Sequence, residues 1–470
     1  MKYIVLCLWI FWSALGPLRA QGIRFEKDSL TQVFAKAQQQ NKPVFLLLSP
    51  PPAPANLPPA VRAERNKSGL NAPAVADKLN QAFLSKELVF GSAEMGAAAR
   101  RYNVTTYPTY LYFGPDGNLL YRRFGNTSNE EQYLKDVAAA QQAQQDPQNL
   151  SHLAAAFQRG DRDTAVLKRY LLKRRSLRLP PEPAVLDAYA RQLPAKAFYQ
   201  PAEVLFILES GPVVGGSAFQ LSHLSQKLID SLYRVLPLPR RVAINNLIIN
   251  TTMAQAAATK DRSTAERGAN FARSTWTNDY ISGARNYDRN MLAFYQNVKD
   301  TTAYLQQAVS YYERYYFNLP ADSVKKALAA LQAFRQRQPA LLQRLDSAAR
   351  RGPAGGPPPA GAPGRIVRTV AVVGPPASFL QELNNGAWAI YQTGTRNKNY
   401  LSHAVAWSKR TVDLDPAAYN NDTLAHLLYR IGFYAEAEAR QQRAVELARQ
   451  EKIAAAPYQQ VLDQIRKRTL

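Results

Sequence analysis

The stretch that most constrains this chain runs Arg101-Tyr102-Asn103-Val104-Thr105-Thr106-Tyr107-Pro108-Thr109-Tyr110-Leu111-Tyr112-Phe113 and closes on Gly114-Pro115-Asp116-Gly117. Its β-branched and aromatic residues predict a strand, and the Gly/Pro/Asp cluster behind them predicts a tight turn. Pro108 interrupts this pattern, because proline has no N–H to give to a sheet ladder. Two geometries relieve the conflict. Either a trans proline opens an edge strand, or a cis Tyr107–Pro108 bond sits at the strand's entry.

Extended to Gly125, the segment reads in order as a helix end, a Tyr-Asn-Val turn, a proline loop, a strand, a hairpin, a last strand and a glycine. In order and spacing it resembles the second half of a thioredoxin-like domain, and upstream segments extend the resemblance over Gly22 to Gln145. The resemblance implies the cis form of Tyr107–Pro108. It also implies a peptide-facing groove beside that bond, with a redox Cys-x-x-Cys opposite.

The cysteines are missing. Val44-Phe45-Leu46-Leu47-Leu48 is a short apolar run, expected as a strand buried on both faces. In redox-active relatives such a strand leads into the Cys-x-x-Cys helix. Here the chain continues Ser49-Pro50-Pro51-Pro52-Ala53-Pro54-Ala55-Asn56-Leu57-Pro58-Pro59. The cysteine positions are filled by residues such as Pro52, Ala53, Ala55 and Asn56, none of which supplies the thiolate that disulfide exchange needs. Leu46 to Leu48 occupy the region where such relatives often carry a buried acid. The chain's one cysteine is Cys7.

Cys7 lies in an N-terminal segment that reads as a leader. Lys2 precedes Tyr3-Ile4-Val5-Leu6-Cys7-Leu8-Trp9-Ile10-Phe11-Trp12, an apolar core too short to span a bilayer, and small residues lead to a cleavage site after Ala20. The expectation is an exported, periplasmic or secreted protein with no thiol after cleavage, hence no disulfide, thiolate nucleophile or thiolate metal site. An uncleaved anchor is the alternative. No later stretch is long and apolar enough to span a membrane.

The rest of the resemblance segment divides readily. Asp28 or Ser29 caps a helix carrying Leu30, Val33, Phe34 and Ala37. Asn71 to Phe90 reads as a helix with Val75, Leu79 and Phe83 on one face, then a strand at Leu88-Val89-Phe90. Ser128-Asn129-Glu130-Glu131 reads as a capping box for the final helix. If the groove persists, the backbone of Tyr107 beside Pro108 pairs with an extended peptide, with Pro52, Ala53 and Asn56 of the proline loop as candidate contacts. Otherwise Tyr107 and Pro108 only shape the fold, and the loop has no partner.

Beyond Ala138 the composition turns to Ala, Gln, Leu, Tyr and Arg, and helical periodicity replaces strand pattern. The reading is an α/β thioredoxin-like N-terminal domain (21–145) followed by an all-α, tetratricopeptide-like helical-repeat region. Its parts are a helical segment (146–351), a Pro/Gly-rich linker (352–364) that cannot form a core, and C-terminal repeats (365–470). The repeats rest on Trp388, Ala404, Trp407 and Pro416, then on Leu424, Gly432, Tyr434, Ala437 and Gln441. Ala404 and Ala437 are spaced at about the 34 residues of that family. Whether the linker divides two arrays or loops out of one stays open.

Charge supplies the last constraint. A net +24 and a pI near 10.0 make an anionic partner worth weighing. The segment from Arg159 to Arg178 predicts a basic amphipathic helix, with Lys168, Arg169, Lys173, Arg174 and Arg175 as candidates for an anionic lipid or polysaccharide surface. The alternative is a solvated face on a packed helix. No zinc spacing, RNA-binding motif or helix-turn-helix accompanies the charge, so nucleic acid is not expected. His152, His223, His403 and His426 are scattered, although His403 and His426 sit in adjacent repeats. No nucleophile elbow, phosphate loop or zinc-protease motif appears. The expectation is a binding protein with no cofactor and no metal. Two functions rival it: a thiol–disulfide oxidoreductase relative assisting a partner's cysteine, and a basic envelope-surface binder.

Overall fold

The computed structural model describes residues 22–53, 57–351, 379–451 and 453–470. The leader with its cleavage site, the groove candidate Asn56 and the run Gly352–Gly364 lie outside the described residues.

The first helix, α1 (Leu30–Gln40), starts at Ser29, whose hydroxyl and main chain exchange hydrogen bonds with Gln32 in a capping box. Asn41, in the left-handed region at φ 48°, ends it. The apolar run then forms β1 (Val44–Leu48), buried along its whole length. There follow α2 (Pro59–Asn66), α3 (Pro73–Ala82), β2 (Leu84–Leu88), α4 (Ala93–Arg101), β3 (Thr109–Phe113), β4 (Leu119–Phe124) and α5 (Glu130–Gln145). The strands form one sheet in the order β2-β1-β3-β4, with β1 parallel to β2 and antiparallel to β3, and β3–β4 a hairpin. Tyr107–Pro108 is cis, and Gly117 and Gly125 take positive φ at the hairpin turn and the strand exit. The elements that the thioredoxin resemblance implied for Arg101 to Gly125 are therefore present in order.

Two local expectations are corrected. The second strand is Leu84–Leu88 rather than Leu88–Phe90, and Val89 and Phe90 project from its end 64% and 43% exposed. Its polar residues hide the strand in the sequence. Lys86 is buried, yet its ammonium donates to the carbonyls of Glu26, at 3.3 Å, and Asp28, at 2.6 Å. The α5 cap is Asn129, whose side chain accepts from the Glu131 N–H at 3.0 Å, in place of a Ser128 box.

Strand alternation sends the two faces of the sheet to different cores. Phe45, Leu47, Tyr110 and Tyr112 meet Leu79 of α3 and Tyr133 of α5. On this side Asp136 of α5, 1% exposed, accepts from Tyr121 at 2.9 Å and pairs with Arg123 at 3.2 Å, tying helix to hairpin. Burial raises the Asp136 carboxyl above its usual range, against the pull of Arg123. Val44, Leu46, Leu48, Leu111 and Phe113 face the other way and share a cluster with Leu150, Leu167 and Val185 from the helices beyond.

Those helices are α6 (Leu150–Gln158), α7 (Thr164–Ser176), α8 (Pro183–Gln192), α9 (Pro201–Glu209), α10 (Ser217–Ser222), α11 (Gln226–Val235), α12 (Leu238–Thr259), α13 (Arg262–Ser274), α14 (Tyr280–Val298), α15 (Thr301–Tyr312) and α16 (Ala321–Arg351). After the undescribed segment come α17 (Phe379–Gln392), α18 (Lys398–Leu414), α19 (Ala418–Ile431), α20 (Tyr434–Gln450) and α21 (Ala456–Arg466). Several sequence neighbours pack as pairs, among them α12 on α13, α13 on α14, α17 on α18 and α19 on α20, while α16 packs on the distant α2. One core holds residues from both sides of 352–378: Tyr304 and Ala308 of α15 share it with Ile390 of α17 and Trp407 of α18. The close approach is at Gly386, where a methyl group would meet the Tyr312 ring at 2.6 Å. On its other side Tyr312 packs on Trp407, ring centres 5.2 Å apart. Among the described residues no helix is long and apolar enough to cross a membrane.

Candidate functional site

The sheet register fixes what surrounds Pro108. Leu48 is opposite Thr109, so β1 ends, and Ser49 follows, beside the proline. On the other flank the Gly125 N–H donates to the Pro108 carbonyl at 2.9 Å. Pro108 is buried and Tyr107 half-buried. Thr109 anchors the turn through its hydroxyl, which donates to the Thr106 carbonyl at 2.5 Å. The main-chain N–H and C=O of Tyr107 have no hydrogen-bond partner among the described residues. Tyr107 precedes β3, which is paired on both sides by β1 and β4, so this open donor and acceptor lie at the entry to an interior strand, where a short extended segment can pair with one residue.

Tyr107 has an apolar neighbour that sequence reasoning missed. The Phe90 ring stands edge-on to it, centres 5.6 Å apart, and Val89 is more exposed still. Reading Val89 and Phe90 as strand had hidden them. The signal that could have released them is Gly91, whose φ of 87° turns the chain at once after the pair. Pro52 is exposed and Ala53 half-buried, and neither touches Tyr107 through a hydrogen bond or ring contact among the described residues. The register brings the end of β1 to the proline; it does not bring these two side chains onto the tyrosine.

Behind the proline loop the fold is braced from the helical side. Arg122 of β4, 8% exposed, donates to the Tyr102 carbonyl at 2.5 Å and to the Arg178 carbonyl at 3.1 Å. Asn103, at φ 50°, donates to the same Arg178 carbonyl at 3.4 Å. Burial, with Arg178 nearby, lowers the Arg122 pKa to about 10, so the guanidinium remains charged at neutral pH. These bonds tie β4 and the turn after α4 to the chain just past α7.

The basic residues of α7 are mostly engaged within the molecule. Lys168 pairs with Glu203 at 2.7 Å, Lys173 with Asp146 at 3.0 Å, Arg174 with Glu182 at 3.1 Å and Arg175 with Glu209 at 2.9 Å. Lys168 also lies over the Phe206 ring, 4.7 Å from its centre. Arg169 is exposed. The arrangement binds α7 to the helices around it.

The histidines do not converge. The His403 ring meets Glu313 at 2.6 Å, while His426 bonds the Asp422 carbonyl of its own helix at 2.8 Å. Gln441, fully buried, donates to Asp422 at 2.8 Å and to the Tyr458 carbonyl at 3.0 Å, linking α19, α20 and α21. Among the described residues no group of histidine, cysteine, aspartate or glutamate has the geometry to hold a metal ion.

No protein-family model matches the chain, and no curated protein matches it. Among solved structures it is similar to one described as DsbH oxidoreductase, at 15% identity and a TM-score of 0.23. That similarity covers 29% of this chain and 95% of the other, and likeness at this level says nothing about chemistry.

Proposed function

We propose that this protein is an exported adaptor that binds peptide segments of other envelope proteins and does no redox chemistry of its own. The observation that carries the reading is the open N–H and C=O of Tyr107 beside cis-Pro108, flanked by exposed Val89 and Phe90. A short extended segment pairs there: main-chain bonds give affinity, and the apolar pair gives choice of side chain. The sequence supplies no thiol once Cys7 is removed with the leader, so the scaffold acts by shape. The helical part, read as tetratricopeptide-like pairs, supplies a second binding surface. A role on anionic lipid is less well supported, because acids within the chain already hold four of the α7 cations.

The test is selection of binders from a displayed library of unstructured peptides, followed by titration of a selected peptide. Val89→Asp with Phe90→Asp is expected to weaken binding at least tenfold while leaving the circular dichroism unchanged. Failure to select any peptide, or equal binding by the double variant, overturns the Tyr107 site. Catalysed disulfide exchange by protein lacking residues 1–20 overturns the claim that the chain is redox-inert.

A further inference from the structure

A cleft of about 450 Å³ opens in the helical region, within the size range of small-ligand sites. Trp276, from the loop before α14, and Phe379, at the start of α17, contribute to its walls, and Arg285 and Arg289 of α14 reach it as well. Among the described residues, Glu382 of α17 is the acidic one that lines it. Gly283 lets the Trp276 loop lie close against α14, since a methyl there would meet the Arg273 carbonyl at 3.0 Å and Trp276 Cβ at 3.4 Å.

The remaining wall comes from an irregular turn. After α15 the chain makes a π-helical turn over Glu313–Phe317. The extra residue rotates Tyr316 back beneath Tyr311, so hydroxyls five residues apart lie within 3.2 Å, while Tyr315 also faces the cleft. Single π turns recur at functional sites because they redirect side chains in this way. Burial raises the phenol pKa of both Tyr311 and Tyr315, so both stay protonated at neutral pH. Tyr315 spends its proton on Asp288 at 3.0 Å, and Gln307 holds the other oxygen of that carboxylate at 2.9 Å.

The cations of the cleft are unlike those of α7. Arg289 has no hydrogen bond or ion pair among the described residues, and Arg285 has only a 3.5 Å bond to the Ser282 hydroxyl. Two guanidinium forks beside aromatic faces suit a carboxylate attached to a flat ring. Polyphosphates and nucleic acid suit it poorly, because further negative charge would meet Glu382.

We infer that this cleft binds a ligand in which one carboxylate adjoins an aromatic group, held by Arg285 and Arg289 with its ring against Trp276 and the tyrosines. That chemistry occurs in two sources: a free aromatic acid, and the C-terminal residue of a peptide ending in phenylalanine or tyrosine. The second source deepens the peptide-binding reading and rests on it; the first does not.

The test is calorimetric titration of the full chain with N-acetylphenylalanine, with the tripeptide acid acetyl-Ala-Ala-Phe, and with the C-terminal amide of that tripeptide. At least one acid is expected to bind, the amide at least tenfold more weakly, and Arg289→Gln is expected to weaken the acid at least tenfold without moving the melting temperature. Trp276→Phe is expected to remove the fluorescence change that accompanies binding. Binding of N-acetylphenylalanine alone keeps the cleft and removes peptides from it, leaving the Tyr107 site to be judged separately. No binding by either acid, equal binding of acid and amide, or unaltered affinity in Arg285→Gln with Arg289→Gln overturns the inference.

Discussion

Along α7, Lys168, Lys173, Arg174 and Arg175 each have a carboxylate within 3.1 Å, whereas Arg285 and Arg289 at the helical cleft have none among the described residues. In sequence the first group is the conspicuous one, eight basic residues crowded into Arg159–Arg178, and the second is unremarkable. In the fold the order reverses. The crowded cations fasten α7 to Asp146 at the end of α5, to Glu182 before α8, and to Glu203 and Glu209 of α9. The scattered pair is left facing an aromatic cleft. Net charge therefore describes the chain's total, while the pairing pattern describes what a ligand meets. A third setting completes the range: Arg123 and Asp136, buried together under α5.

The sharpest way to break the comparison is at that buried pair. Asp136→Ala strands the Arg123 guanidinium in a site where both side chains are 13% exposed or less, and a loss of about 3–5 kcal/mol is expected in urea unfolding. A loss under about 1 kcal/mol would put it in the same class as the α7 pairs. The Asp136 pKa adds a sign. Because burial raises it, the folded state holds the proton more tightly than the unfolded chain, and this group's contribution to stability falls as pH rises through the folded pKa. Asp136→Asn is expected to flatten that slope in unfolding curves taken from acid to neutral pH.

Glu209 is the next lever, since it holds both Arg175, at 2.9 Å, and Arg240, at 2.6 Å. Glu209→Gln is expected to cost no more than about 1 kcal/mol of stability. It should also free two cations, so that retention on phosphatidylglycerol vesicles rises at low ionic strength and disappears at about 0.5 M salt. Unchanged retention would mean that the paired carboxylate was not what kept α7 from anionic surfaces.

The smallest effect is expected at Asp146. Its carboxyl is held below the usual range by the Gln148 N–H and then by Lys173, in a largely exposed position. Asp146→Asn should change neutral-pH stability by no more than about 0.5 kcal/mol. Because the folded pKa is depressed, the wild-type advantage is present above the ordinary carboxylate pKa and is lost as pH falls through the folded one. Thermal melts on both sides of that window test the sign.

How much of this was legible follows from how local each signal is. Arg101 to Gly125 could be read because its proline, hairpin turn and closing glycine act on their immediate neighbours. Strand β2 was misplaced by a few residues because the carbonyls that satisfy Lys86 come from Glu26 and Asp28, some sixty positions away. Val89 and Phe90 look like strand core and are exposed. Their burial depends on what stands opposite, which no periodicity records. His403 and His426 were placed in adjacent repeats, but each turns to its own acid or carbonyl. The cleft had no local signal at all: Trp276, Arg289, Tyr315 and Glu382 come from separate elements, and a π turn that no pattern announces brings the tyrosines round.

The seat of Tyr312 on Gly386 and Trp407 has a mechanical corollary for the chain between them. The segments before and after 352–378 grip each other through their own side chains, so the covalent thread joining them is redundant for holding the halves together. A protease cutting within 352–378 would leave two fragments that migrate as one particle in native buffer and separate only in denaturant.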